Sequence, residues 1–393
     1  MAALDRFRAE TKAWLAASFP AGVPSQGELY AGGNKVPLLH PPSRQWFERC
    51  VQKGYTVPTW PKEYGGAALS KEEYLVLLEE MLRVGAPQPL GGMGVSMIGP
   101  TLLEFGTDEQ KTRHLPRIAR GEIRWCQGYS EPSAGSYLAS LRTRAEDKGD
   151  HYQINGQKIW TSGADHADWI FVLVRTNPDV PKHDGISFVL MTMDQPGIRV
   201  QPIRLISGAS PFCETFFSNA IARKEDLLFQ VNKGWTVGKR LLQYERSSLS
   251  SLAAGRSRNV GRAVEDFAKD YIGVNNGMIA DRDIREQILK HNITTHAFQL
   301  TQRRAVEEAE GLNTPGFTTS IFKLYGADLG KQDAELKLSI MGTHALGWEG
   351  EAFSAEELTA TRNWLAVKAS SIAGGSNEVQ MNIIAKRVLG LPD

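Results

Sequence analysis

The hydrophobic period of this chain changes twice, and this change restricts its fold more than any other sequence feature. Residues 1–124 carry apolar side chains at helical spacing, among them Phe7 and Trp14. Residues 125–232 alternate apolar and polar positions or form short apolar runs, as strands do. The helical period returns over residues 233–393. We therefore predict three domains, mainly α with a central β domain between two helical ones.

The central domain carries strand and turn signals. Asn155-Gly156 lies within an alternating run, and this dipeptide is the strongest short hairpin signal, so we predict a hairpin turn there. The apolar runs 169–174 and 186–191 predict buried strands, and residues 198–203 predict an alternating strand. Strands at this spacing, separated by glycine and proline, favour a small β-barrel or sandwich.

Helix signals delimit the flanking domains. Ser70 and Glu73 form a capping box at one helix start, and Thr107 opens a helix that Leu115-Pro116 should end. The polar, glycine-bearing residues 273–283 predict an exposed loop. Four long helical segments predict a C-terminal four-helix bundle. These segments are residues 235–254, 284–308, 318–340 and 354–373.

Composition and charge argue against several classes of function. The formal net charge is +1 over 393 residues, so no basic field favours nucleic acid. No apolar run approaches the roughly 18 residues of a membrane span. The acid-bearing N-terminal segment matches neither a signal peptide nor a transit peptide. The 3 cysteines are widely spaced and form no ligand pattern. We therefore predict a cytoplasmic protein that binds no metal, nucleic acid or membrane.

One stretch near the C-terminus is suited to ligand binding. Residues 371–380 place Gly374-Gly375 directly before an amphipathic helix. A glycine pair at a helix start lets a ligand approach backbone N–H groups closely. By itself, the pattern is more typical of an ordinary loop before a last helix. An earlier stretch, residues 243–246, carries Glu245 and Arg246.

Five motifs, in the same order along the chain, resemble those of the acyl-CoA dehydrogenase family. The resemblance covers essentially the whole length, and it looks closest to bacterial members such as the large subunit of pimeloyl-CoA dehydrogenase. It implies a helical N-terminal domain, a middle β-barrel or sandwich, a C-terminal four-helix bundle, and FAD in the cleft where the domains meet. The motifs are residues 60–66, 106–122, 129–136, 155–163 and 372–390.

The resemblance implies α,β-dehydrogenation of an acyl-CoA thioester to a trans-2-enoyl-CoA. Removal of the α-proton requires a carboxylate base, and FAD accepts the hydride because no side chain can. The commonest members carry the base in the closing motif, at the position of Gly374, and a glycine cannot abstract a proton. A minority carry it on the first helix of the bundle, before an arginine. That position is Glu245, which precedes Arg246.

We therefore predict that Glu245 is the base and that Gly374 vacates the volume into which Glu245 reaches. The Gly374 amide would then donate a hydrogen bond to the thioester oxygen. Two alternatives stay open for Glu245. It is a solvated helix residue in a salt bridge, or the chain has no base at all.

The resemblance also implies which residues surround the cofactor and the substrate. The flavin-binding positions are aromatic, hydroxyl-bearing or acidic: Tyr129, Ser130, Ser136, Trp160, Thr161, Ser162, Ser376 and Glu378. The substrate-binding positions are Ser136, Arg246 and Gly375. Arg246 would pair with the CoA part of the substrate. Trp160 has an alternative role, as a residue of the β-domain core.

The chain departs from the family pattern in three places. Tyr137 stands where the family usually has Asp. The Arg-x-x-Phe-Gly motif, which a neighbouring subunit lends to the FAD pyrophosphate, has no match, and Arg282 or Arg285 are the candidates to replace it. Residues 339–343 match the family's Gln-x-x-Gly-Gly only loosely. These departures leave room for a non-catalytic or partner-dependent subunit that binds FAD or CoA in a heteromeric complex.

Further expectations concern chemistry and partners. A same-fold oxidase or desulfinase stays an alternative to the dehydrogenase. The predicted partners are an acyl-CoA substrate, an electron-transfer flavoprotein and further chains, as a homodimer, a homotetramer or a heteromer. The small residues of 91–99 predict an acyl pocket with room for a long or bulky chain.

Overall fold

The computed structural model describes residues 2–24, 29–247, 262–308 and 316–392. It contains two compact units. The first consists of Met1–Ile203 with Pro211–Glu245, and the second of Arg204–Ser210 with Arg246–Asp393. Since the first unit holds both the N-terminal helices and the sheet, the domain boundaries after residues 124 and 232 stay predictions.

In the described part of the first unit, five α-helices precede the sheet. Capping boxes open two of them, with Ser70 and Glu73 before α3 and with Thr107 and Gln110 before α5. Both predicted helix starts are therefore confirmed. The helices are α1 (Ala2–Ser18), α2 (Pro41–Lys53), α3 (Lys71–Arg83), α4 (Gly99–Phe105) and α5 (Asp108–Ala119).

The predicted end of α5 at Leu115-Pro116 is wrong. The helix continues through Pro116 to Ala119, and the Arg120 N–H closes the last turn on the Pro116 carbonyl at 3.1 Å. Proline removes only its own N–H from the helix ladder. The turn beyond it buries Ile118 and Ala119, and this packing outweighs the lost bond.

The glycine-rich stretch over residues 91–99 forms a π-helical turn, Gly94–Ile98, that leads into α4. A Cβ on Gly99 would lie 2.1 Å from the Trp60 ring, so this position requires glycine. The small residue here therefore admits a buried tryptophan. The acyl pocket inferred from this stretch stays a prediction.

The described residues after α5 form a mixed sheet of seven strands in the order β1-β4-β2-β3-β7-β6, with β5 paired to β4. The predicted buried strands are confirmed, since β4 and β5 are almost wholly buried, and the third predicted strand is β6. The strands are β1 (Trp125–Gly128), β2 (Arg144–Asp147), β3 (His151–Ser162), β4 (Trp169–Arg175), β5 (Ile186–Thr192), β6 (Ile198–Ile203) and β7 (Phe212–Arg223).

The predicted hairpin turn at Asn155-Gly156 is wrong, because this dipeptide lies inside β3, which pairs with both β2 and β7. Gly156 has a φ of +150°, and a Cβ there would lie 2.6 Å from Thr143 Oγ1. The pairing with β7 shifts register at this point, and Asn155 Oδ1 accepts the Asn219 N–H at 2.8 Å. The dipeptide therefore marks a β-bulge and a close approach between strands.

Helix α6 (Gly234–Ser247) follows the sheet, and the second unit is built around α9 (Thr319–Met341). Helix α9 packs against α7 (Val264–Tyr271), α8 (Arg282–Glu308), α10 (Ala355–Val367) and α11 (Asn377–Ile383). A buried cluster that includes Phe267, Ile288 and Ile340 forms the core of this unit. Residues 248–254 of the first predicted helical segment lie outside the described residues.

The predicted loop over residues 273–283 contains a small hairpin instead. Strand β8 (Val274–Asn275) pairs with β9 (Met278–Ile279) across Asn276-Gly277. Both turn residues have positive φ, +49° and +76°, as a type I′ turn requires. Here the asparagine–glycine signal does form a turn.

Three properties of the described residues bear on the predicted classes of function. No helix among them is long and apolar enough to cross a membrane. They contain no cluster of three or more His, Cys, Asp or Glu side chains that could hold a metal. Cys50, Cys126 and Cys213 are free and buried, and burial raises the pKa of each thiol.

Candidate functional site

Trp160 lies on a second bulge of β3 with its ring turned out of the sheet. Pairing with β7 shifts register again between Lys158 and Thr161. Trp160 has a φ of +61°, which is a strained conformation for a bulky residue, and its side chain is 53% exposed. Its nearest aromatic neighbour is Phe212, edge-on at 6.0 Å. The alternative role of Trp160 as a core residue is therefore wrong, because the bulge holds its ring outside the core.

The two residues after Trp160 bring hydroxyl groups to the same strand end. Thr161 is fully buried, and its Oγ1 has no hydrogen-bond partner among the described residues. Ser162 is half-buried. The Ile159 N–H donates to the Ser130 carbonyl at 2.9 Å, which joins this strand to the segment after β1. The structure therefore places Ser130 beside Trp160 and Thr161, although they are 30 residues apart in sequence.

Lys158, near the same end of β3, belongs to a buried ion pair that the sequence analysis did not single out. Lys158 is fully buried, and its Nζ donates to Glu131 Oε1 at 2.8 Å and to the Tyr129 carbonyl at 3.1 Å. The Glu131 carboxylate also accepts the N–H groups of Arg142 and Thr143, at 2.6 and 2.8 Å. The pair therefore fastens β3 to both ends of the loop that carries Ser136.

The electrostatics of this pair follow from its burial. Burial lowers the pKa of the Lys158 ammonium to about 8, against the opposing attraction of Glu131. Burial also opposes ionisation of Glu131, but Lys158 and the donors from Thr143 and Arg142 bring its pKa below the ordinary value. A lysine in a strand usually faces solvent, so its own residue type does not mark Lys158 as buried. The one sequence signal for its burial was the opposite charge of Glu131, 27 residues earlier.

Tyr129 and helix α6 share one core. Tyr129 is buried, and its ring packs edge-on against Phe171 and Phe188. Val237 and Leu241 of α6 belong to the same buried cluster. A Cβ on Gly238 would lie 3.5 Å from Tyr129 Oη. The helix that carries Glu245 therefore packs against the same part of the sheet as Tyr129.

Helix α6 is also fastened to α4. Arg240 Nε donates to Glu104 at 2.8 Å, and the Tyr244 hydroxyl donates to the same carboxylate. Burial, followed by the interaction with Glu104, raises the pKa of Tyr244 to about 12. The backbone of Glu245 and Arg246 belongs to α6, but their side chains lie outside the described residues. Their predicted roles stay predictions.

The second unit holds the glycine pair of the closing motif. Gly374 and Gly375 have φ values of +66° and +92°. A Cβ on Gly374 would meet no described atom within 4 Å, whereas one on Gly375 would lie 2.5 Å from Gln380 Nε2. Buried Gln380 donates to the Gly374 carbonyl at 3.0 Å. The turn is therefore held from within by the helix that follows it.

Ser376 and Glu378 have local partners in the structure. Ser376 is the N-cap of α11, and its Oγ accepts the Val379 N–H at 3.4 Å. The N–H of Glu378 itself, followed by the Ser376 hydroxyl, lowers the pKa of the exposed Glu378 carboxyl. Lys323 of α9 donates to Asn377 Oδ1 at 3.3 Å. These contacts explain the helix start, and binding of FAD adenosine by this pair stays a prediction.

The two arginines considered as replacements for the missing motif differ in their surroundings. Arg285 donates to the Ile279 carbonyl of the β8–β9 hairpin, so its guanidinium already has a structural partner. Arg282 is exposed at the start of α8. Of the two, Arg282 is therefore the one with an exposed side chain, and the replacement of the motif by either arginine stays a prediction.

The residues of the first unit fit a flavin. Trp160 offers an exposed ring on a strained stretch of backbone. Thr161 offers a buried hydroxyl without a hydrogen-bond partner among the described residues. A flavin ring has a flat face and polar edge atoms, which match an indole and a hydroxyl. Ser130 lies half-buried beside both of them, whereas Ser136 is exposed on the loop after β1.

Comparison with known proteins gives the same picture. Family models described as acyl-CoA dehydrogenase N-terminal, middle and C-terminal domains match residues 30–122, 126–220 and 232–389. "Acyl-CoA dehydrogenase IpdE1" of Mycobacterium tuberculosis is 36% identical over 391 residues, covering 99% of this chain and 98% of that protein.

Solved structures agree. One described as "Tcur3481-Tcur3483 steroid ACAD" has a TM-score of 0.77 at 30% identity, covering 100% of this chain and 98% of the other. The ChsE4-ChsE5 complex from Mycobacterium tuberculosis has a TM-score of 0.76 at 27% identity, with coverage of 100% and 98%. The predicted fold, with helical N- and C-terminal domains around a β domain, is confirmed. The chain belongs to the acyl-CoA dehydrogenase family, whose members are FAD-dependent oxidoreductases that act on acyl-CoA.

Proposed function

We propose that this chain binds FAD and introduces an α,β double bond into an acyl-CoA, giving a trans-2-enoyl-CoA. The observation that carries the proposal is the end of β3. There the exposed, strained Trp160 stands beside the unpartnered hydroxyl of Thr161. Strained, exposed aromatic residues cluster at ligand sites because folding alone does not favour them.

Bound FAD would supply hydride acceptance, and the residues of the chain would supply the remaining functions. Position 245 follows buried Leu241 by one turn on α6 and therefore lies on the same face of the helix. From this position Glu245 would take the α-proton. The Gly374 N–H would donate to the thioester oxygen as negative charge develops there, a contribution of about 2.7–4 kcal/mol in comparable sites. Trp160 would exclude water from the reacting carbons.

We propose a polycyclic, steroid-like acyl group as the substrate. Support comes from the solved structure described as a steroid ACAD, which matches this chain along its full length. The name of the IpdE1 relative gives only the family activity. A straight-chain acyl group, as for the pimeloyl-CoA enzymes, is the competing substrate class.

The substrate proposal predicts which thioester reduces the flavin. The purified, FAD-loaded chain is mixed anaerobically with a steroid-side-chain acyl-CoA or with octanoyl-CoA, and the visible flavin band is followed. We expect the steroid thioester to bleach the band and octanoyl-CoA to leave it almost unchanged. Bleaching by octanoyl-CoA alone would rule out the steroid substrate. Rapid reoxidation by air after bleaching would instead favour the oxidase alternative.

A second candidate function is a subunit that acts only with a partner chain. Two observations favour it. Gly374 replaces the usual base, and the descriptions of the two solved structures each name two chains. If no thioester bleaches the isolated chain but bleaching appears when a second acyl-CoA dehydrogenase chain is added, this candidate replaces the first.

An apolar seam on α8 supports an assembly of chains. Leu289, Ile293 and Leu300 are each more than half exposed, and His296 is exposed between them. Their spacing of four, three and four residues is the a/d pattern by which helices pair. We propose that a second copy of this chain packs against this seam.

The seam predicts the molecular mass in solution. We expect the unaltered protein to be at least a dimer by light scattering. The triple change of Leu289, Ile293 and Leu300 to Glu should give a monomer, because three buried charges would have no partners. Leu82→Glu is the matched control, because Leu82 is an exposed leucine of α3 that belongs to no exposed apolar row of described residues. It should leave the mass unchanged. An unchanged mass in the triple variant would contradict the assembly.

A further inference from the structure

We propose that Tyr137 and Lys182 form a clamp for the nucleotide end of CoA, the 3′-phosphoadenosine diphosphate. The inference rests on the proposed function and adds to it a site at which this chain departs from its family. Tyr137 occupies the position that is usually Asp. It directly follows Ser136, the predicted CoA contact.

Tyr137 presents its ring to solvent, and the ring has no aromatic neighbour among the described residues. Tyr137 is 56% exposed, although a tyrosine ordinarily buries most of its ring. The Ser140 hydroxyl donates to the Tyr137 carbonyl at 2.7 Å and holds the backbone in a short turn, Leu138–Ser140. The ring is therefore displayed on an ordered segment.

Lys182 covers one side of this ring. Its Nζ lies 4.6 Å from the ring centroid of Tyr137, within cation–π range. Asp179 and Asp184 share the β4–β5 loop with Lys182, yet within the described ranges Lys182 takes part in no ion pair. The ammonium group is thus available to an anion that approaches the edge of the ring.

A buried arginine fixes the two residues relative to one another. Arg175 donates to the Lys182 carbonyl at 2.6 Å and to the Ala139 and Leu141 carbonyls at 2.7 and 3.3 Å. One guanidinium therefore ties the β4–β5 loop to the segment that carries Tyr137. The next loop residue, His183, packs on Trp235 at 4.8 Å. Anchors on both sides make this a built arrangement and not a chance surface contact.

The chemistry of the pair fits a phosphorylated purine. An exposed phenol ring stacks on a base face, and an ammonium group attracts phosphate oxygens. The aspartate that is usual at position 137 could do neither and would repel a phosphate. CoA combines an adenine, a diphosphate and a 3′-phosphate, and pantetheine lacks all of them. The nucleotide is therefore the part of the substrate that the clamp should recognise.

The test compares CoA with pantetheine as probes in calorimetric titrations of the FAD-loaded chain. Tyr137→Asp should weaken CoA binding at least about fivefold, as expected for loss of one base stack. Lys182→Met should weaken it about two- to fivefold, the range of an exposed charge pair. Neither change should alter pantetheine binding. Tyr137→Phe keeps the stacking face and should bind CoA as the unaltered chain does.

Lys224→Met is the matched control. Lys224 also lies over a tyrosine ring, that of Tyr152 at 3.8 Å, but this ring is buried and Lys224 pairs with Asp147. It should leave CoA binding unchanged. Equal losses for CoA and pantetheine, or no loss with either clamp variant, would overturn the clamp. Equal binding of CoA and pantetheine by the unaltered chain would also overturn the clamp. In that case, flavin bleaching by an acyl-pantetheine would show that the proposed reaction proceeds without the clamp.

Discussion

Replacing Lys158 with methionine is expected to lower the free energy of unfolding by about 3–5 kcal/mol at neutral pH. The change removes the cation and leaves the Glu131 carboxylate buried, where two backbone N–H groups are its remaining donors among the described residues. Urea unfolding measures the loss, and hydrogen exchange at the Thr143 amide localises it to the loop beside Ser136. Exchange that is unchanged there would contradict the role given to the pair.

The expected loss depends on pH with a definite sign. In the unaltered chain the pKa of Glu131 is lowered, so its contribution is complete above the ordinary carboxyl pKa and disappears as pH falls through the lowered value. In Lys158→Met the carboxyl lacks its cation, and burial raises its pKa. The folded variant then binds the additional proton, and falling pH stabilises it. The difference between the two proteins should therefore shrink from pH 7 toward pH 4.

Two variants separate this effect from a general loss of charge. Adding Glu131→Gln to Lys158→Met removes the unpaired charge but keeps an amide oxygen for one of the N–H donors. This double variant should regain part of the lost stability. Lys148→Met breaks an exposed pair with Glu146, and should cost less than about 1 kcal/mol. If Lys148→Met is as damaging as Lys158→Met, burial is not the cause.

The second large effect concerns the reaction. Glu245→Gln keeps the size of the side chain but cannot accept the α-proton, so flavin reduction by the acyl-CoA should slow by about 10²–10⁴-fold. Affinity for FAD and the unfolding temperature should stay unchanged. Stopped-flow absorbance under anaerobic conditions measures the rate. Reduction as fast as in the unaltered chain would show that Glu245 is not the base.

A compensating change makes this test sharper. Adding Gly374→Glu to Glu245→Gln moves the carboxylate to the position that is commonest in the family. A Cβ on Gly374 would meet no described atom within 4 Å, although its φ of +66° costs a non-glycine residue about 1–2 kcal/mol. Partial recovery of the rate is therefore expected. Gly374→Ala in the same background carries the same backbone strain without a carboxylate, and should not recover.

Local signals predicted the helix starts correctly, because a capping box is complete within four residues. The two asparagine–glycine pairs show that a local turn signal does not always predict a turn. Asn276-Gly277 forms a turn, since within the described ranges its two strands pair only with each other. Asn155-Gly156 does not, since β3 has a further partner in β7, which begins 61 residues after β3 does. A turn signal cannot report a third strand that arrives from far along the chain.

The candidate site divides in the same way. Motif resemblance identified Trp160 and Thr161, but neither the bulge that exposes one nor the burial that isolates the other is readable from sequence. Lys158 lies inside the motif of residues 155–163, but the sequence indicates no role for it, because its partner Glu131 comes from a separate segment. Tyr137 was noted only as a departure, and its relation to Lys182 depends on Arg175, which joins two loops.

The paired bulges of β3 also restrict how the length of this strand can change. One precedes Lys158 and the other follows it, so each sets the phase in which a later residue faces inward or outward. Inserting or deleting one residue between Asn155 and Lys158 would turn Lys158 toward water and Trp160 toward the core. The turn at Gly149 has a φ of +94° and open space around it, so it can absorb such length changes. Relatives are therefore expected to vary freely in length at that turn while keeping the residue count of the strand itself.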